Sequence, residues 1–235
     1  LTDRLQTTEN ARRRFVSDAS HELKTPLAGI RLLTDSILQT DQMDMETVRD
    51  FVTDIGSEAE RLSRITEDLL RLTRLDSDLL DAPETVEVAP VLEQVMRMMS
   101  LLAQKKGTEL TYRMEENCRV SATKGEVHQV IYNLTDNAVK YSGKNGKVRV
   151  ELRHEDHDVV LTVADNGPGI PEEDLPRVFE RFYRVDKSHS KASGGTGLGL
   201  SIVKHAVAYH HGTLDLESQP GKGTTITVTI PKKKP

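Results

Sequence analysis

The chain has 235 residues, 36% hydrophobic and 29% charged, with a net charge of -5, which is enough for two modest domains that each bury a core. The mixed signs exclude an extended cationic face for nucleic acid, and the single cysteine, Cys118, excludes an intramolecular disulfide or a thiolate metal cluster. Apolar runs fall far short of the roughly 20 residues a membrane-spanning helix needs, and residues 1–20 are too charged to read as a signal peptide.

Residues 11–40 carry apolar side chains in a heptad rhythm, Val16, Leu23, Ile30 and Ile37 in one row with Ala19, Leu27 and Leu33 beside it, which predicts a long amphipathic helix. Asp41-Gln42-Met43-Asp44 breaks the pattern. Val48, Ile55, Leu62 and Leu69 then resume it, accompanied by Phe51, Ala59, Ile65 and Leu72, so a second helix returns antiparallel. Helices of about 30 residues extend roughly 45 Å. A bare hairpin of that length leaves part of its apolar stripe open, and pairing into a dimeric four-helix bundle closes it. Residues 1–76 are therefore expected to form a helical dimerisation hairpin, 77–83 a linker around Asp81-Ala82-Pro83, and 84–235 a second domain. In that domain the pattern predicts helices at 89–104, 124–141 and 197–211 and strands at 108–113, 147–153, 158–164, 213–218 and 223–230, an α/β sandwich. The terminal Lys232-Lys233-Lys234 reads as a solvated tail.

Most of the eight histidines suit surface roles. His154 and His157 flank a hairpin tip, while His210 and His211 sit at a helix end where Gly212 is expected to supply the left-handed cap. His21 differs. The register places it far from the apolar seam, with Glu22 next to it, Thr25 one turn on, and Pro26 expected to disrupt the helix. A neutral imidazole is a competent nucleophile near pH 7, a carboxylate can take its displaced proton, and a hydroxyl can hold a water. Ser20-His21-Glu22-Leu23-Lys24-Thr25-Pro26-Leu27 resembles the H-box of sensor histidine kinases. The resemblance implies that His21 is the phosphoacceptor, Glu22 the general base and Thr25 the residue assisting a phosphatase reaction.

The helix at 124–141 carries Asn133, Asn137 and Lys140 in a polar stripe beside its buried one. Neutral amide oxygens suit magnesium, which keeps phosphates and waters as its other ligands; Lys140 can meet phosphate oxygens and Tyr141 can pack on a base. Asp165-Asn166-Gly167-Pro168-Gly169-Ile170 ends a strand with an acid that can accept from an exocyclic amine and glycines that admit a flat ring. Gly195-Thr196-Gly197-Leu198-Gly199 opens the last helix, where free amides and the dipole favour an anion, without the layout of a Rossmann fingerprint or a P-loop.

Taken in order, Asn133 to Tyr141, Asp165 to Gly169, Phe179-Glu180-Arg181-Phe182-Tyr183 and Gly195 to Gly199 resemble the N, G1, F and G2 boxes of the GHKL ATPase superfamily. The likeness covers about residues 12–230. It implies a Bergerat-type domain binding ATP and Mg2+, with Asn137 holding the metal helped by Asn133, Asp165 reading adenine, Arg184 reaching the terminal phosphate, and residues 185–194 forming a lid. It further implies autophosphorylation, homodimerisation, transfer to the receiver domain of a response regulator, and a place as the cytoplasmic portion of a sensor anchored in a membrane by an upstream segment. Two other readings compete: a GHKL ATPase driving conformational change as in chaperones or topoisomerases, and a non-catalytic dimerisation scaffold. The exposed His-Glu pair argues against the first and the nucleotide boxes against the second.

Overall fold

The computed structural model describes residues 2–75, 82–143, 145–185 and 195–232. Two long helices, α1 (Thr2–Gln39) and α2 (Met45–Leu75), form the antiparallel hairpin. Asp44 caps α2, its carboxylate accepting from the Thr47 amide at 2.8 Å. Contrary to expectation, α1 continues through Pro26, which is buried within it. A helical proline loses the bond to the carbonyl four residues back and crowds that carbonyl, yet the helix runs on to Gln39 with the Pro26 ring buried. Along each helix the heptad rows are mostly half-buried; Ile65 and Leu72 are fully covered, while Val16, Leu27 and Ala59 are exposed. Leu38 on α1 and Met45 and Val52 on α2, outside those rows, also stand exposed, so the hairpin has uncovered apolar side chains on both helices.

The second domain runs β1 (Glu84–Glu87), α3 (Val88–Lys106), β2 (Glu109–Met114), β3 (Arg119–Ala122), α4 (Lys124–Tyr141), β4 (Lys147–His154), β5 (Asp158–Asp165), α5 (Gly199–Tyr209), β6 (Thr213–Gln219) and β7 (Gly223–Pro231). A five-stranded sheet in the order β2-β4-β5-β7-β6 is antiparallel except where β2 meets β4. A parallel pair needs a long crossover, and β3 with α4 provides it. Val148, Val150 and Leu152 alternate inward on β4, facing a layer of α3, α4 and α5 around Leu92, Met96, Ile131, Leu134 and Val203. The two-layer α/β sandwich is thus as expected. The small antiparallel sheet of β1 and β3 was not foreseen, because four-residue strands are too short to show a period.

α4 begins with a capping box: the Glu126 amide donates to Thr123 Oγ1 at 3.2 Å and the Thr123 amide to Glu126 Oε2 at 2.9 Å. At its other end Lys106 Nζ, from α3, donates to the carbonyls of Val139 and Lys140, placing a cation at the negative end of the dipole. The last helix is shorter than expected, and its left-handed residue is His211, with φ 57°, rather than Gly212. Gly212 is needed for closeness instead, since a Cβ there would lie 2.5 Å from the Thr229 carbonyl oxygen. His210 turns inward, its Nε2 at 3.2 Å from Glu126.

Candidate active site

Three segments meet around the C-terminal half of α4. Asn133 is 8% exposed, and its amide is committed: Oδ1 accepts from Gln129 at 3.0 Å and Nδ2 donates to the Gly199 carbonyl at 3.2 Å. It therefore ties α4 to the glycine-rich loop. Asn137, one turn on and half-buried, makes no side-chain hydrogen bond among the described residues, so its neutral oxygen is the one open to a hard cation. Among the described residues no cluster of three His, Cys, Asp or Glu side chains could hold a metal ion. Lys140 pairs with Asp136 in the same helix, and Tyr141 is exposed at its end.

Asp165 ends β5 beside this helix. Burial pushes its carboxyl above the ordinary value, and the backbone amides of Gly167 and Thr224 partly offset that; the Gly167 bond is 2.8 Å. A Cβ on Gly167 would come within 2.3 Å of the Tyr141 carbonyl oxygen, so the turn closes tightly on α4. Gly169 has φ 71° and a Cβ there would meet the Gln219 carbonyl at 2.0 Å, while the Ile170 amide donates to Ser218 Oγ at 2.9 Å. The sequence placed an acid and a permissive backbone together, and the structure joins both to the asparagine helix.

In the glycine-rich loop, a Cβ on Gly195 would sit 3.4 Å from the Tyr141 hydroxyl and one on Gly199 3.6 Å from Asn133. Gly197 and Phe182 both have positive φ, 71° and 63°, and the Phe182 amide donates to the Gly197 carbonyl at 2.8 Å. Leu198 is fully buried. Residues 186–194, most of the expected lid, lie outside the described residues, as do 77–81 of the expected linker and Lys233 and Lys234 of the expected tail.

His21 is exposed on α1, as the register requires, and Thr25 Oγ1 donates to its carbonyl at 3.1 Å. Glu22 is held by two guanidiniums: Arg184 Nη2 at 3.1 Å and Arg61 Nη2 at 3.4 Å, both on Oε2. Arg184, expected opposite a phosphate, is here docked on α1 through Glu22. The same face of the nucleotide domain makes further contacts with the hairpin. Phe182 stacks on Phe15 at 6.3 Å, Arg181 covers the Phe15 ring at 4.7 Å, and Leu198 and Ile202 bury Leu72. Thr196 Oγ1 donates to Asp68 Oδ2 at 2.8 Å, and burial raises the Asp68 carboxyl against that bond and the neighbouring Arg71.

Sequence reasoning missed Arg61, Asp68 and Phe15. One signal lay in α2, where Glu58, Arg61 and Asp68 interleave with the fully buried Ile65 and Leu72 on one stripe. Charges set within an apolar stripe mark a contact with something polar.

A Bergerat-like α/β domain docked on a helical hairpin that displays a histidine defines a class, the histidine kinase core. Residues 11–78 match the His Kinase A (phospho-acceptor) domain, and residues 122–234 match the histidine kinase-, DNA gyrase B- and HSP90-like ATPase. The sensor-like histidine kinase SenX3 of Mycolicibacterium smegmatis is 38% identical over 225 residues, covering 95% of this chain and 58% of that protein. The sensor histidine kinase WalK of Bacillus subtilis is 33% identical over 229 residues, covering 96% of this chain and 38% of its own. Among solved structures, full-length ShkA in complex with AMPPNP superposes with a TM-score of 0.67 at 27% identity, over 94% of this chain and 46% of that one. Histidine kinase ThkA in complex with response regulator protein TrrA shares the fold, with a TM-score of 0.74 at 21% identity over 98% of this chain and 66% of that one. The chain belongs to the sensor histidine kinases of two-component systems. It spans little more than half the length of SenX3 and less than half that of WalK.

Proposed function

We propose that this chain transfers the γ-phosphoryl group of Mg-ATP to His21 and then to an aspartate of a response regulator receiver domain. The observation that carries the reading is an exposed imidazole beside a carboxylate that is bridged to the nucleotide domain through Arg184. One ring nitrogen of His21 forms the bond to phosphorus as the bond to the β-phosphate oxygen breaks and ADP leaves; the other ring nitrogen gives its proton to Glu22. Asn137, with its uncommitted amide, would hold magnesium, and Asn133 would support it by fixing the glycine-rich loop. Magnesium would neutralise charge on the β- and γ-phosphates. Asp165 would accept from the adenine amine, Tyr141 would flank the ring, and Lys140 and the amides of Gly195, Thr196, Gly197, Leu198 and Gly199 would meet the phosphates.

Thr25 keeps its oxygen lone pairs available after donating to the His21 carbonyl, which supports a role in orienting water for dephosphorylating the regulator. The open stripe of the hairpin supports a homodimer. Family membership supports placing the chain as the cytoplasmic portion of a membrane-anchored sensor; among the described residues no helix is long and apolar enough to cross a membrane. The test is incubation with γ-labelled ATP. Label should appear in an acid-labile, base-stable form, and His21→Gln should abolish it while ATP affinity holds within about twofold, because nucleophile and pocket lie in different domains. Persistent label in His21→Gln would overturn the assignment.

A further inference from the structure

Among the described residues of the hairpin, Arg61 is the most deeply buried charged side chain, 6% exposed. Its Nη2 lies 3.4 Å from Glu22 and its Nη1 3.7 Å from Glu58, while its Nε is buried without an acceptor. Arg184 approaches the same Glu22 oxygen from the other domain. The two cations differ in one respect. Arg184 belongs to the nucleotide domain and moves with it, whereas Arg61 stands across the hairpin from Glu22 and stays there whatever that domain does.

We propose that Arg61 is a positioning residue for phosphorylation of His21, acting through Glu22; this rests on the reading of His21 and Glu22 given above. Arg61 touches no reacting atom. It holds the Glu22 carboxylate in one rotamer when Arg184 leaves with the domain that delivers ATP, so the oxygen that receives the imidazole proton is already in place. A guanidinium suits the task because it is permanently charged and its planar fork fixes direction as well as distance. Burial among the helices keeps the pair from being screened by salt. An unheld glutamate would sample several rotamers, and small misplacements of a catalytic group are costly in rate.

The experiment measures initial labelling rates of the full chain over a range of ATP concentrations, in two backgrounds, Glu22 and Glu22→Gln. Arg61→Met should lower kcat about tenfold with KM for ATP changed less than about twofold, and Arg61→Lys should recover part of the loss. In the Glu22→Gln background the same replacements should cost less than about twofold, because the group Arg61 acts through is gone. Should Arg61→Met unfold below the assay temperature in a melting scan, Arg61→Lys decides by the same comparison. Equal losses in both backgrounds, or a loss confined to KM, would overturn the inference while wild-type labelling leaves the proposed function standing. A wild type that never labels overturns that function and this inference with it.

Discussion

Asn133 and Asn137 share one face of α4, yet only Asn137 has an amide to spare. Asn137→Asp changes both the ligand type and the charge opposite the phosphates, and calorimetric titration should find magnesium-dependent ATP binding lost. Asn133→Ala should act on structure first: it strands the Gln129 donor and the Gly199 carbonyl, costing about 1–3 kcal/mol, seen as a lower Tm without nucleotide. Unchanged Tm with lost binding would make Asn133 a direct ligand instead. Cys118 is fully buried, and burial with Glu115 and Glu87 nearby pushes its thiol up to about 11, so iodoacetamide at pH 8 should leave it unmodified until the chain is denatured. At this scale the sequence revealed residues whose chemistry shows in their spacing, His21 with Glu22, the asparagines of α4 and the two glycine turns. It hid Arg61, because a charge set within a helix stripe declares itself only once its partner on another helix is known.

The docking of α2 on the glycine-rich loop turns on Asp68. Its folded-state carboxyl is raised from 3.8, with burial the largest cause, so the ionised form opposes docking at neutral pH. The sign follows: the native state binds the proton more readily, and stability rises as pH falls through the raised value toward 3.8. Asp68→Asn keeps an acceptor for Thr196 without the charge. It should show a higher Tm than wild type at pH 7, and the gap should close as the pH is lowered through that range. A gap that persists at low pH would assign the effect to packing. At the start of α4, Thr123→Ala removes a reciprocal cap and should cost about 1 kcal/mol. Long periodic elements were readable to within a few residues except at the start of α1, which begins at Thr2, nine residues before the heptad rhythm read from residue 11. β1 and β3 were not, being four residues each, and neither was the passage of α1 through Pro26, where tertiary packing overrides a local breaker.

The whole molecule leaves Val16, Leu27 and Leu38 exposed on α1, each eleven residues from the next and therefore on one face. A second copy packed on this stripe would cover it, and sedimentation equilibrium of the full chain should then give twice its 26.3 kDa mass. Val52→Asp, placing a charge on the exposed apolar side of α2, should shift it toward monomer. Phe15 and Glu22 offer a different consequence. They are seven residues apart, about 10.5 Å along the axis and within about 20° of one another around it. Phe15 carries the ring of Phe182, whose backbone is stitched to Gly197, and Glu22 carries Arg184. α1 is in effect a camshaft with two lobes in line: a turn of the helix about its axis that lifts one contact lifts the other, so the nucleotide domain is seated at both points or at neither.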